Sequence, residues 1–337
     1  VNGIRTFLQS AWNGIRTVIT TVMNAIRTVI STVWNGIRTI ISTVLNGIRG
    51  TVNSVWNGIR NTISSSDFCL NFPFCAINAW LKVNGNAKKI IGVVSGKGGV
   101  GKSTVTAVLA IKLAEKGYKV GVLDGDIIGP SIPRIFGKEK LRGNVQKITE
   151  TELKFAPIES KSGIKLASFN FYTVNEDQAV MWRGPIISST LSQIYQEVEW
   201  GELDYLLIDM PPGTGDTAIT VMQSFRLDGI IAVGTPQKMV TVIVKKLINM
   251  AQVMNIPVIG VVENLAHIIA SNGEKLNVWG KENAIWHANE LSTPLLAELP
   301  IDHEMGEAME NGNFEDYILK DTKTNGLVEK FLELIKK

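Results

Sequence analysis

Cysteine is almost missing from this chain: Cys69 and Cys75 are the two in 337 residues. A disulfide scaffold is thereby excluded, and a reducing, cytoplasmic setting is the expectation. No run of about 18 apolar residues occurs, so no spanning helix is expected. The N-terminal stretch lacks the apolar core and cleavage pattern of a signal peptide. Residues 1–66 also lack Lys, Asp and Glu entirely, yet hold six Arg. That segment is +6, which leaves the remainder at −3 for a net charge of +3. A mildly acidic body does not suit a polyanion, so nucleic acid is not expected as a partner; no membrane partner is expected either.

What is present begins with an 11-residue repeat. Its units start at Val1, Trp12, Met23, Trp34, Leu45 and Trp56 and read roughly W-N-G-I-R-T-V-I-S-T-V. Apolar residues such as Trp34, Ile37, Ile41 and Val44 fall on one arc, which predicts an amphipathic helix over 1–66. About 3.67 residues per turn predicts a slight right-handed supercoil. Gly in nearly every unit and many β-branched residues oppose the helix. The repeats resemble those of phage tail tape-measure proteins. That resemblance implies a rod or assembly segment; the alternative is a fusion with no bearing on the rest.

Residues 67–88 form a junction after the Ser64-Ser65-Ser66-Asp67 break, and an ATPase domain is expected over 89–337. There, short apolar runs alternate with helical patterns. Strands are predicted at 89–94, 119–123, 164–168, 205–208, 229–233, 257–262 and 294–298. Helices are predicted at 102–116, 186–198, 239–254 and 327–336. This alternation predicts an α/β domain, doubly wound around a mainly parallel sheet, with ligands at the carboxyl ends of the strands.

Gly96-Lys97-Gly98-Gly99-Val100-Gly101-Lys102-Ser103 satisfies G-x-x-x-x-G-K-[ST] between a strand and a helix. Glycines let backbone N–H groups turn inward around phosphate oxygens, and the helix N-terminus adds its dipole. Lys102 would reach the β- and γ-phosphates of ATP, and Ser103 would ligate Mg²⁺. Thr104 completes the set of phosphate-loop residues. Asp124 and Asp126 follow one strand and Asp209 ends another; acidic groups there hold Mg²⁺ and its waters or orient an attacking water.

Lys97 makes the loop resemble the deviant Walker A class of the MinD, ParA and nitrogenase iron-protein ATPases. The resemblance implies that Lys97 reaches across a homodimer to the partner's nucleotide, and that Asp126 activates water. The strings S-G-K-G-G-V-G-K-S-T (95–104), L-D-G-D-I-I-G-P-S-I-P (123–133), M-W-R-G-P-I (181–186), W-G-E-L-D-Y-L-L-I-D-M-P-P-G-T-G-D (200–216), T-P-Q (235–237) and G-V-V-E-N (260–264) are more specific. Together they resemble the Mrp/ApbC family of iron–sulfur cluster carrier ATPases. That implies ATP at a homodimer interface, Asn264 reading the adenine base, and apoprotein clients that receive clusters.

The chain departs from that family at one place. Relatives carry C-x-x-C shortly after the E-N, and two subunits together bind a 4Fe–4S cluster. Here Ala270, Ser271 and Asn272 stand in its place, and the segment is slightly short. Ala and Asn cannot supply the soft ligand. His267, as one imidazole, does not replace two thiolates. Cys69 and Cys75 lie among aromatic and apolar neighbours upstream and read as small hydrophobes. Two functions therefore stay open: an ATP-dependent cluster carrier, or a MinD/ParA-like regulatory or partner-positioning ATPase without a cluster.

Overall fold

The computed structural model describes residues 2–64, 87–147, 153–173, 184–270, 272–279 and 288–336. The chain divides into two compact units, Val1–Ile77 and Asn78–Lys337. In the first, helix α1 runs over Asn2–Ser64. Four of its threonines satisfy their hydroxyls by bonding back one turn. Thr17 Oγ1 donates to the Asn13 carbonyl at 2.9 Å and Thr28 Oγ1 to that of Asn24 at 3.0 Å. Such back-bonding keeps a hydroxyl satisfied within the helix. One side of α1 exposes large apolar residues, including Phe7, Trp12, Val18 and Trp34.

The second unit begins with β1 (Ala87–Ser95), α2 (Lys102–Glu115), β2 (Val120–Asp124) and the short α3 (Ile132–Ile135). Then come β3 (Val145–Lys147), β4 (Leu153–Phe155), β5 (Ile158–Glu159), β6 (Lys165–Ala167) and α4 (Gly184–Glu197). β7 (Leu203–Asp209), α5 (Asp216–Ser224), β8 (Gly229–Gly234), α6 (Lys238–Val253) and β9 (Val258–Glu263) follow. The end holds β10 (Ile268–Ile269), β11 (Lys275–Leu276), β12 (Leu295–Glu298), α7 (His303–Glu310), α8 (Phe314–Lys320) and α9 (Asn325–Leu334). Every strand and helix expected from the sequence lies within two residues of an observed one.

Among the described residues, eight strands form one sheet in the order β12-β9-β8-β1-β7-β2-β6-β5. All pairings are parallel except that of the edge strand β5 with β6. The central strands read as continuous apolar runs because both faces are covered. β8 is buried along its length, and so is β1 from Ile90 onward. α2 packs on β1, β2 and β7 and is backed by α8 and α9, while α6 packs on β8 and β9. The chain leaves β1 toward β2 and later crosses back to β8, so β1 sits at the switch point of a doubly wound sheet. The crevice beyond the strand ends there is where ligands bind in such sheets.

Candidate nucleotide site

The carboxyl end of β1 opens directly into the glycine-rich loop, and α2 starts at its far side. Gly101 caps α2 with φ 82° and ψ 27°, in the left-handed region. A Cβ there would also lie 2.1 Å from Asn264 Nδ2. Gly96 is fixed differently: a Cβ would meet Ile243 Cγ2 of α6 at 2.6 Å. Gly98 and Gly99, by contrast, face open space with nothing within 4 Å. The loop is thus pinned at both ends and open in the middle, the shape a phosphate chain fills.

Three strand ends bring the side chains together. Lys102 Nζ lies 2.5 Å from Asp209 Oδ1 at the end of β7, and both groups are buried. Ser103 Oγ donates to Asp209 Oδ2 at 2.6 Å, and Thr106 Oγ1 donates to Oδ1 at 3.2 Å. Asp124, at the end of β2, pairs in register with Asp209. Its Oδ2 accepts from the Ile132 N–H and from Ser168 Oγ, both at 3.2 Å. Burial, then the neighbouring Asp209, raise the Asp124 carboxyl well above its usual range, against the pull of Lys102. Asp126 is half-buried, and burial raises it too. Its Oδ1 accepts from the Gly129 N–H at 3.2 Å. Asp124, whose charge is unwelcome, and Asp209, which accepts from the Ser103 hydroxyl, stand in register and form with that serine a hard oxygen set suited to a divalent cation that keeps waters.

On the other flank, Asn264 follows β9 and is buried. Its Nδ2 donates to the Val100 carbonyl at 2.9 Å, and its own N–H donates to the Gly234 carbonyl at 2.8 Å. Lys97 stands exposed at the loop's tip. The loop after β7 is tied to β1 by the Gly213 N–H, which donates to the Ser95 carbonyl at 2.8 Å. Sequence reasoning did not single out Thr106 or Ser168. Thr106 stands four residues after Lys102, one turn along the same helix face, which was a usable signal. Ser168 needed the pairing of β2 with β6 to place it.

The segment after Asn264 is a small hairpin. β10 and β11 pair antiparallel, with Ile268 opposite Leu276. Its turn closes through the Ala270 N–H to the Glu274 carbonyl at 2.9 Å and the Gly273 N–H to the Ala270 carbonyl at 2.8 Å. Ser271 lies outside the described residues, as do Cys69, Cys75, most of the 67–88 junction and Met181-Trp182-Arg183. His267 is buried, with Nδ1 2.9 Å from Glu298 Oε1, so it is a packed residue rather than an open ligand. Among the described residues, no group of three or more His, Cys, Asp or Glu stands together as a metal site. The donor set of this hairpin therefore does not fit a thiolate-held cluster.

Comparison with known proteins agrees with this geometry. Residues 86–337 match the ParA family model, described as the NUBPL iron-transfer P-loop NTPase. The chain belongs to this family. The repeat segment separately matches the TMP repeat at residues 12–22, 34–44 and 56–66. A protein of Clostridium perfringens named iron–sulfur cluster carrier protein is 51% identical over 239 residues, covering 70% of this chain and 84% of the relative. A nucleotide-binding protein of Archaeoglobus fulgidus, solved in complex with ADP, is 37% identical with a TM-score of 0.62; the match covers 73% of this chain and 95% of that one. The cell division ATPase MinD of Pyrococcus furiosus, at 21% identity and TM-score 0.53, covers 74% of this chain and 97% of that one and shares the fold.

Proposed function

We propose that the chain is an ATP-hydrolysing, dimer-forming carrier that serves iron–sulfur cluster transfer to apoproteins in the cytoplasm. The observation that carries this reading is the convergence of Lys102, Ser103 and Asp209 at the strand ends, beside a glycine loop open in its middle. Lys102 would leave Asp209 for the β- and γ-phosphates. Ser103 and the water shells of Asp124 and Asp209 would hold Mg²⁺, which supplies charge neutralisation on the phosphates. Asp126, made more basic by burial, is suited to orient the attacking water. Lys97, free of the loop's own packing, can extend to a nucleotide bound by a second copy. Asn264 Oδ1 can accept from the amine of adenine while Nδ2 keeps its hold on Val100. The donor set of the β10–β11 hairpin favours a second reading, a regulatory ATPase of MinD/ParA type that holds no cluster.

One experiment on the full chain addresses both. Lys102→Ala should lower ATP hydrolysis at least about 100-fold, and Asp126→Asn should stall turnover while ATP still binds. Unchanged rates in both variants would remove the proposed chemistry. Anaerobic incubation with iron and sulfide then decides the cargo. Visible thiolate–iron absorbance supports the carrier, and its absence in folded, ATP-binding protein supports the second reading.

A further inference from the structure

Helix α1 carries a surface that the nucleotide site does not use. Fourteen large apolar side chains between Ile4 and Trp34 stand 47–72% exposed. At about 100° per residue they cover roughly half the helix circumference. The other half is Ser, Thr, Asn, Gln and Gly. Trp12 and Trp34 fall at the border between the two halves, and Arg5, Arg16 and Arg27 fall at that same border. An 11-residue unit advances only about 20° on a straight helix, so neighbouring units keep these roles.

Three kinds of partner could cover such a face, and the residues separate them. A coiled-coil seam needs a narrow stripe, about two positions in seven, with opposite charges flanking it. Here the stripe is far broader, and residues 1–66 hold six Arg with no acidic residue, so a second copy offers those arginines no opposite charge. A nucleic acid would satisfy the arginines but leave the apolar half in water. An anionic lipid surface satisfies both: acyl chains take the apolar half, indole rings suit the boundary, and headgroup phosphates meet the arginines. No helix among the described residues is long and apolar enough to cross a membrane.

We infer that α1 is an interfacial helix that docks the chain on an anionic lipid membrane. This revises the expectation that a membrane is no partner. The test is sedimentation of the full chain with phosphatidylcholine vesicles, with and without about 30 mol% phosphatidylglycerol. Binding to the anionic vesicles should exceed that to the neutral ones at least tenfold and weaken with salt. Arg5→Glu/Arg16→Glu/Arg27→Glu should reduce it at least tenfold, and Val22→Asp/Ile26→Asp should abolish it, with ATP hydrolysis unchanged in both as the control for folding. Equal binding to both vesicles, or none, overturns the proposal. So does a self-associated species that Val22→Asp/Ile26→Asp dissolves without any vesicle binding, or a shift with DNA but not with vesicles.

Discussion

Gly101 is where two demands meet on one residue. It takes a left-handed φ of 82°, and the space for a Cβ is filled by Asn264 Nδ2 at 2.1 Å. Gly101→Ala should therefore cost about 1–3 kcal/mol in stability and break the Asn264–Val100 bond. Thermal melting reads the first effect and ATP titration the second. An alanine variant with wild-type melting and affinity would show that the loop tolerates another path. Asp124 allows a pH prediction. Its carboxyl is raised by burial and by Asp209, so the unfolded chain gives up that proton first as pH rises. Through this group the folded protein loses stability from about pH 4 upward, by at most about 1.4 kcal/mol per unit, and levels off above the folded value. Asp124→Asn removes the effect. Measured in EDTA, its stability relative to wild type should grow from about pH 5 to neutrality; a pH-independent difference would show that Lys102 keeps Asp124 ionised. The loop, Asp124, Asp126 and Asp209 were legible in sequence because each sits at a strand end within a local string. The Lys102–Asp209 ion pair and the Asn264–Val100 bond join positions more than 100 residues apart, so only the folded sheet shows them.

At the level of elements, long apolar strands and periodic helices declared themselves, and short or polar pieces did not. α7 has eight residues and only a short apolar face of Met305, Ala308 and Met309, half-buried with the two methionines against the core, too little for a periodic pattern to stand out. β5, β10 and β11 have two residues each, too few for a period-2 pattern. The β10–β11 hairpin is nonetheless the element on which the proposed cargo depends. Its pairing is intact while its turn carries no thiol among the described residues. Replacing Ala270–Asn272 with a four-residue Cys-x-x-Cys should restore a hairpin that two subunits can bring together around a cluster. The expected result is visible absorbance after anaerobic reconstitution, with two hairpins per cluster by iron and protein assay. Absorbance equal to that of the unaltered chain would place the ligands elsewhere.

For the whole molecule, the two units are expected to divide the labour. Removing residues 1–66 should leave the rate of ATP hydrolysis within about twofold, because every side chain placed at the nucleotide lies between Gly96 and Asn264. Steady-state assays on both forms check this, and a large fall in rate would show that the repeat supports the ATPase. The period of the repeat has a consequence of its own. One unit adds about 16 Å of helix while turning its face by only about 20°. Duplication or loss of a unit, an easy event in repetitive DNA, therefore changes reach in fixed steps and leaves chemistry untouched. Lineages of this chain can vary in length as a ladder varies in rungs, without passing through a misfaced intermediate.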